Sequence, residues 1–176
     1  QNGTFSEVNT TQNLLGHTSH FSMGSDIADI NNDGNADILS LDMLPEDLQV
    51  LKASGNEYAY PIYQNQIRNG YDYQFMQNTL QLNLGNGRFA ETAFQSGVAA
   101  TEWSWSPLMA DFDNDGRVDL FISNGMARDF NNSDIAFTAA DQIGKSMWDH
   151  YENSPPKLEQ NLAFRNKGDY AFEDVS

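Results

Sequence analysis

Asp29-x-Asn31-x-Asp33-Gly34-x-x-Asp37 and Asp111-x-Asp113-x-Asp115-Gly116-x-x-Asp119 put oxygen-bearing side chains at positions 1, 3, 5 and 9 of a nine-residue loop. That is hard-cation chemistry. Ca²⁺ takes about six to eight oxygens at roughly 2.3–2.6 Å, and alternating side chains of a coiled loop converge on one point. Gly at position 6 permits the bend, and the backbone carbonyl at position 7, from Asn35 or Arg117, can add a ligand. Without an ion, the carboxylates would repel one another and raise their own pKa values. Two Ca²⁺ sites are therefore expected, ligated by Asp29, Asn31, Asp33, Asn35 and Asp37, and by Asp111, Asp113, Asp115, Arg117 (through its carbonyl) and Asp119. Mg²⁺ fits less well because it demands a compact octahedron and keeps its waters. An EF-hand would need Glu at position 12 between two helices, but position 12 is Ser40 in one loop and Ile122 in the other, with strand-like flanks. The bland alternative is a pair of ion-free Asx-Gly turns, and duplication weighs against it.

The elements that must hold these loops repeat with them. Displaced by 82 positions, Ala28 to Asp37 falls on Ala110 to Asp119 with six of ten residues identical. A second element, Asn2-Gly3-Thr4-Phe5, recurs as Asn86-Gly87-Arg88-Phe89 and, more loosely, from Lys167 to Phe172. Its Phe residues are 84 and 83 positions apart. Repeat 1 then covers about 5–88 and repeat 2 about 89–172, inside a single segment spanning 1–176. Each repeat reads as a turn, a strand, an acidic loop and a further strand (Asp37 to Leu41; Val118 to Ser123), with Thr79 to Leu84 alternating as another strand. Long insertions follow, about 44–77 and about 126–159. Pro45 fits a first helical turn in the first. In the second, Ser133 as N-cap and Ile135, Ala139, Ile143 and Met147 at four-residue spacing predict a helix ended by Pro155-Pro156.

Composition narrows the partners. Nine Lys and Arg stand against 25 Asp and Glu in 176 residues, a net charge of −16, which excludes a phosphate-gripping or anionic-lipid-binding protein. At 39% hydrophobic and 12% aromatic the chain is built to fold. There is no Cys, hence no disulfide, thiolate metal site or cysteine nucleophile. No run is long and apolar enough to insert in a membrane, and Gln1 to Glu7 lack the pattern of a secretory signal.

The acidic loops followed by Ile38-Leu39 or Leu120-Phe121-Ile122, with the Asn-Gly-x-Phe turns, resemble the FG-GAP/VCBS repeats of integrin-α-like β-propellers. More narrowly, Asp42-Met43-Leu44-Pro45, Asn78-Thr79-Leu80-Gln81, Trp103-Ser104-Trp105-Ser106-Pro107 and Asn124-Gly125-Met126-Ala127 look like the CRTAC/ASPIC-related VCBS-repeat proteins of bacterial surfaces. The resemblance implies a mainly β fold: about two β-propeller blades of four antiparallel strands with helical insertions, forming part of a larger propeller. It also implies Ca²⁺ in the loops, a secreted or cell-surface location, and a non-catalytic scaffold for a protein or carbohydrate ligand or for other blades. The competing reading is a carbohydrate-active enzyme, a polysaccharide lyase or hydrolase, on the same propeller.

Outside the loops, Glu102-Trp103-Ser104-Trp105 offers a sugar-stacking platform or a catalytic carboxylate, against the simpler expectation that alternating Trp residues fill the space between blades. Tyr58, Tyr60, Tyr63, Tyr71 and Tyr73 offer a recognition surface, against packing of the insertion on its blade. His17, His20 and His150 read as hydrogen-bonded loop residues, since no zinc pattern surrounds them.

Overall fold

The computed structural model describes residues 3–6, 9, 14–54, 60–130, 132–133, 143–152 and 156–176. Two four-stranded antiparallel sheets form the body. The first orders β2 (Ser25–Ala28), β3 (Asp37–Ser40), β5 (Thr79–Asn83) and β6 (Phe89–Glu91). The second orders β7 (Ser104–Ala110), β8 (Asp119–Asn124), β9 (Leu162–Asn166) and β10 (Phe172–Asp174). In each, the strands follow chain order as a meander, which is the blade of a β-propeller. A short parallel pair, β1 (Thr18–Ser19) with β4 (Gln74–Phe75), lies beside the first blade. The sequence period and the blade differ in phase. Position 89 begins the last strand of the first blade, so each blade opens with the strand that enters an acidic loop.

Cross-strand register decides which faces meet. Leu39 lies opposite Leu80, placing both on one face of the first blade, while Met109, Leu120 and Phe164 line up across the second. These two faces form one core with Ile30, Leu41, Leu82 and Ile122. Leu39 and Ile122 are wholly buried, and each such side chain stabilises the fold by about 1.5–3 kcal/mol. The first strands of the two blades also touch: the Met109 N–H donates to Asp26 Oδ2 at 2.7 Å.

Insertions leave each blade after its second strand and are closed by the same device. The Asp42 N–H donates to Asn78 Oδ1 at 2.7 Å, and the Asn124 N–H to Asn161 Oδ1 at 3.0 Å. The first insertion carries α1 (Leu48–Ser54) and α2 (Tyr60–Arg68). Pro45 lies outside α1. Asp47 caps that helix instead, its Oδ1 accepting from the Gln49 and Val50 N–H groups at 2.7 and 3.0 Å. In the second insertion, α3 spans Met147–Tyr151 and is capped by Ser146 in a reciprocal box with Asp149. Ser133 is not that cap. Its Oγ donates to the Ala53 carbonyl at 2.7 Å, tying the second insertion to α1, and Gly144, at φ +72, interrupts any helix running into Met147. Residues 134–142, including Ile135 and Ala139, lie outside the described residues, as do Tyr58 and Pro155.

Gly24 sits where the two first strands approach. A Cβ there would lie 2.5 Å from the Trp105 carbonyl oxygen and about 3.0 Å from Ser106 and Pro107 atoms. Because the nearest atom is backbone, the blades must separate to admit a methyl group. Gly24→Ala is expected to lower the unfolding free energy by about 1–3 kcal/mol, read as a lower urea midpoint.

Candidate metal centre

The two acidic loops join β2 to β3 and β7 to β8, so they share one end of the molecule. Their backbone hydrogen bonds to the first Asp coincide. In the first, Asp29 Oδ1 accepts from the Asp33 N–H at 3.0 Å and its Oδ2 from the Gly34 N–H at 2.8 Å. In the second, Asp111 Oδ1 accepts from the Asp115 N–H at 3.0 Å and its Oδ2 from the Gly116 N–H at 2.9 Å. Gly34 and Gly116 have φ of +86° and +88°, a region that favours glycine. Asn32 and Asn114, at position 4, have φ of 59° and 62°, which Asn tolerates better than most residues.

Position 9 does different work from positions 1, 3 and 5. Asp37 is wholly buried; its Oδ2 accepts from the Ile30 N–H at 3.0 Å and its Oδ1 from the Asn83 N–H at 2.8 Å. Asp119 repeats this with the Phe112 N–H at 3.1 Å and the Asn166 N–H at 2.9 Å. These carboxylates tie each loop to the third strand of its blade. The exposed oxygens that converge belong to Asp111, Asp113 and Asp115, which offer ligand atoms within 4.8 Å of one another, without Asp119. Oxygens on opposite sides of a Ca²⁺ at roughly 2.3–2.6 Å would be about 5 Å apart, so the donor set and its span fit such an ion. In the first loop Asn31 replaces the middle carboxylate, its Nδ2 donating to Asp33 Oδ2 at 3.0 Å. Asn35 donates from its backbone N–H and its amide to Asp33 Oδ1, at 2.8 and 2.9 Å.

Electrostatics separate the loops. In the second, Arg117 Nη2 pairs with Asp115 Oδ2 at 2.7 Å and Arg165 Nε with Asp113 Oδ2 at 2.9 Å. No such cation pairs with the first loop among the described residues. The Arg117 backbone N–H and then its guanidinium hold Asp115 below the ordinary carboxylate range. Asp33 is lowered by the Asn35 N–H and the Asn31 amide. Asp37 is raised, by burial first and by the charges of Asp33 and Asp29 after it, against the pull of two backbone N–H donors.

Several participants escape motif reading. Arg165 lies on a strand 46 or more residues beyond the loop it neutralises. Asn166 Nδ2 donates to the Val118 carbonyl at 2.9 Å and, across the blade boundary, to the Ile30 carbonyl at 2.8 Å. Asn83 and Asn166 sit at matching places in the two repeats, which was the available signal. Asn32 Nδ2 links the loops through the Gly116 carbonyl at 3.0 Å.

The aromatic expectations are corrected. Trp103 and Trp105 do not build the core between the blades, which is aliphatic apart from Phe164. The strand is irregular between Ser104 and Ser106, so alternation breaks at Trp105. Trp105 is half exposed, and its Nε1 donates to the Gly125 carbonyl at 2.6 Å. Tyr60, Tyr71 and Tyr73 are exposed as well, so the insertion is not packed through them. His17 is a hydrogen-bonded loop residue as expected, its Nε2 lying 3.1 Å from the Gln77 amide.

With loops and blades so arranged, comparison with known families adds one finding. Residues 68–122 match the model of the FG-GAP-like repeat, a span from the end of α2 through the second acidic loop to β8. The chain therefore carries an FG-GAP-like repeat on mainly β, propeller-type blades. No curated protein and no solved structure matches it. No helix among the described residues is long and apolar enough to cross a membrane.

A carboxylate whose pKa is raised by folding keeps its proton where the unfolded chain has lost it, so stability falls as pH rises from the ordinary value of 3.8 through the folded value. In calcium-free buffer, the stability of the parent relative to Asp37→Asn is expected to be greatest near the acid end of that window and to shrink as pH rises. Urea unfolding of both proteins across the series checks this; a difference that grows with pH contradicts it.

Proposed function

We propose that the chain is a calcium-stabilised, non-catalytic repeat segment of a secreted or cell-surface propeller, a scaffold that presents a binding surface to a protein or carbohydrate. The observation that carries the calcium reading is the duplicated loop: two segments 82 residues apart fold with the same backbone hydrogen bonds to their first Asp, and the second turns three exposed carboxylates together. Asp29, Asn31 and Asp33 would hold one ion and Asp111, Asp113 and Asp115 the other, with carbonyls of Asn35 and Arg117 in reach of the ligand set. Asp37 and Asp119 would shape the loops from behind. The ion would bind the folded loop in preference to the unfolded chain, so binding it would contribute to folding. Millimolar calcium outside the cell suits loops of modest affinity.

Membership of a larger propeller is supported by a contrast between repeat-equivalent residues. Ile30 is 4% exposed and Leu39 is 0% exposed because the second blade covers them. Their counterparts Phe112 and Phe121 are 53% and 37% exposed. The same face is thus dry in one blade and open in the other, as it would be if a third blade of this type stacked there.

Thermal unfolding in EDTA and in a few millimolar Ca²⁺, with Mg²⁺ as control, tests the calcium reading. Saturation at about 100 Kd gives roughly 2.7 kcal/mol, or an upward shift on the order of 5–10 °C for a chain of this size. Asp33→Ala and Asp115→Ala should each reduce the shift, and Glu102→Ala should leave it unchanged. An equal melting temperature in EDTA and Ca²⁺ would return the loops to ion-free turns.

A further inference from the structure

The insertion of the first blade lines an open groove of about 700 Å³ at the end opposite the acidic loops. That volume lies within the roughly 300–1,000 Å³ typical of small-molecule sites. Its walls include Tyr60 and Tyr63 of α2 and Phe75 of β4. These three rings run in a near-parallel row, Tyr60 to Tyr63 at 6.4 Å and 26°, Tyr63 to Phe75 at 5.9 Å and 28°. They are not filling a core. Tyr60 is 68% and Phe75 41% exposed, and α2 buries none of its residues. A nine-residue helix that leaves its aromatic side uncovered, rimmed by polar groups, marks an interaction site.

The polar lining identifies the occupant. It consists chiefly of the amides of Gln66, Gln74 and Gln77, with Glu46 and His20 the sole carboxylate and imidazole and no Lys or Arg. Among the described residues, neither Gln66 nor Gln74 uses its side-chain amide in a protein hydrogen bond. An amide donates and accepts at once, which matches hydroxyl groups that do the same. A pyranose ring presents just this combination, an apolar C–H face to lie on an aromatic ring and a rim of hydroxyls. Acidic glycans are disfavoured, since the wall supplies no cation and the chain carries a net charge of −16. We propose that this groove between α2 and the first blade binds a neutral oligosaccharide. The proposal rests on the binding role put forward above and is independent of the metal loops.

The test is titration of the full chain with neutral cello-, manno-, xylo- and malto-oligosaccharides, followed by NMR or calorimetry, in Ca²⁺-containing buffer. Oligogalacturonate and an oligoproline peptide serve as competitors of other chemistry. At least one neutral series should bind saturably. Tyr60→Ala and Gln66→Ala should each weaken it by about tenfold or more, with the melting temperature and its calcium shift unchanged. Tyr60 is exposed enough for its truncation to leave the fold intact, and Gln66→Ala gives an independent reading. Binding of none of the neutral series, equal binding by both variants, or capture of oligoproline or oligogalacturonate in their place overturns the proposal. Because the calcium shift is recorded on the same samples, loss of this site and failure of the metal reading give different results.

Discussion

A buried carboxylate, present once in each blade, is the constraint on which the acidic loops depend. Asp37 and Asp119 each reach from the start of a second strand to two backbone N–H groups, one at the head of the loop and one on the third strand. Hydrogen bonds to a charged acceptor contribute about 1.5–3 kcal/mol each, and an N–H left buried without one is costly. The loop backbone is thereby set by the protein's own hydrogen bonds. Asn83 and Asn166 extend the arrangement, their amides donating to the Ala36 and Val118 carbonyls at 3.2 and 2.9 Å. In the second blade the same amide also reaches Ile30 of the first. Loop geometry and blade stacking are consequently one network.

The two loops solve the same charge problem differently. In the first, Asn31 and Asn35 replace what are Asp113 and Arg117 in the second, so amide donors stabilise Asp33 without a counter-charge. The second loop has one more carboxylate and two guanidinium groups, from Arg117 and Arg165. A cation entering the second loop would compete with Arg165 for Asp113 and with Arg117 for Asp115, and one entering the first would displace only amides. The pairs are exposed and separately worth little, yet together they make the first loop the electrostatically emptier of the two.

Strands and turns were largely readable because they repeat and alternate. Asp37 to Leu41, Thr79 to Leu84 and Val118 to Ser123 all contain strands where expected, and position 6 of each loop is Gly because the backbone turns left-handed there. What one dimension obscured was contact between distant segments. Nothing near the second loop announces Arg165, and the burial of the position 9 carboxylates, with their bonds to the third strand, is not reported by spacing. Contacts between insertions were hidden for a related reason: the Ser133 hydroxyl donates to the Ala53 carbonyl, far off in sequence, and α3 takes Ser146 as its cap. The Trp pair misled because Trp103 precedes β7 and the irregularity between Ser104 and Ser106 breaks the alternation at Trp105.

The topology separates two kinds of sequence. Residues that hold the ends of the strands together lie in the acidic loops, where small changes such as Asn31 for Asp113 leave the hydrogen bonding intact. At the other end, an amide closes each insertion onto its blade, Asn78 in the first and Asn161 in the second. Once that anchor is made, the intervening chain is free to diverge, since lengthening a closed loop adds little entropic cost. The first insertion has spent this freedom on two helices and an aromatic groove. The second has α3, packed through Tyr151 and Phe130 at 4.9 Å. A blade built this way separates a loop end held by its own hydrogen-bond network from an insertion end, so the groove can be altered without disturbing the acidic loops.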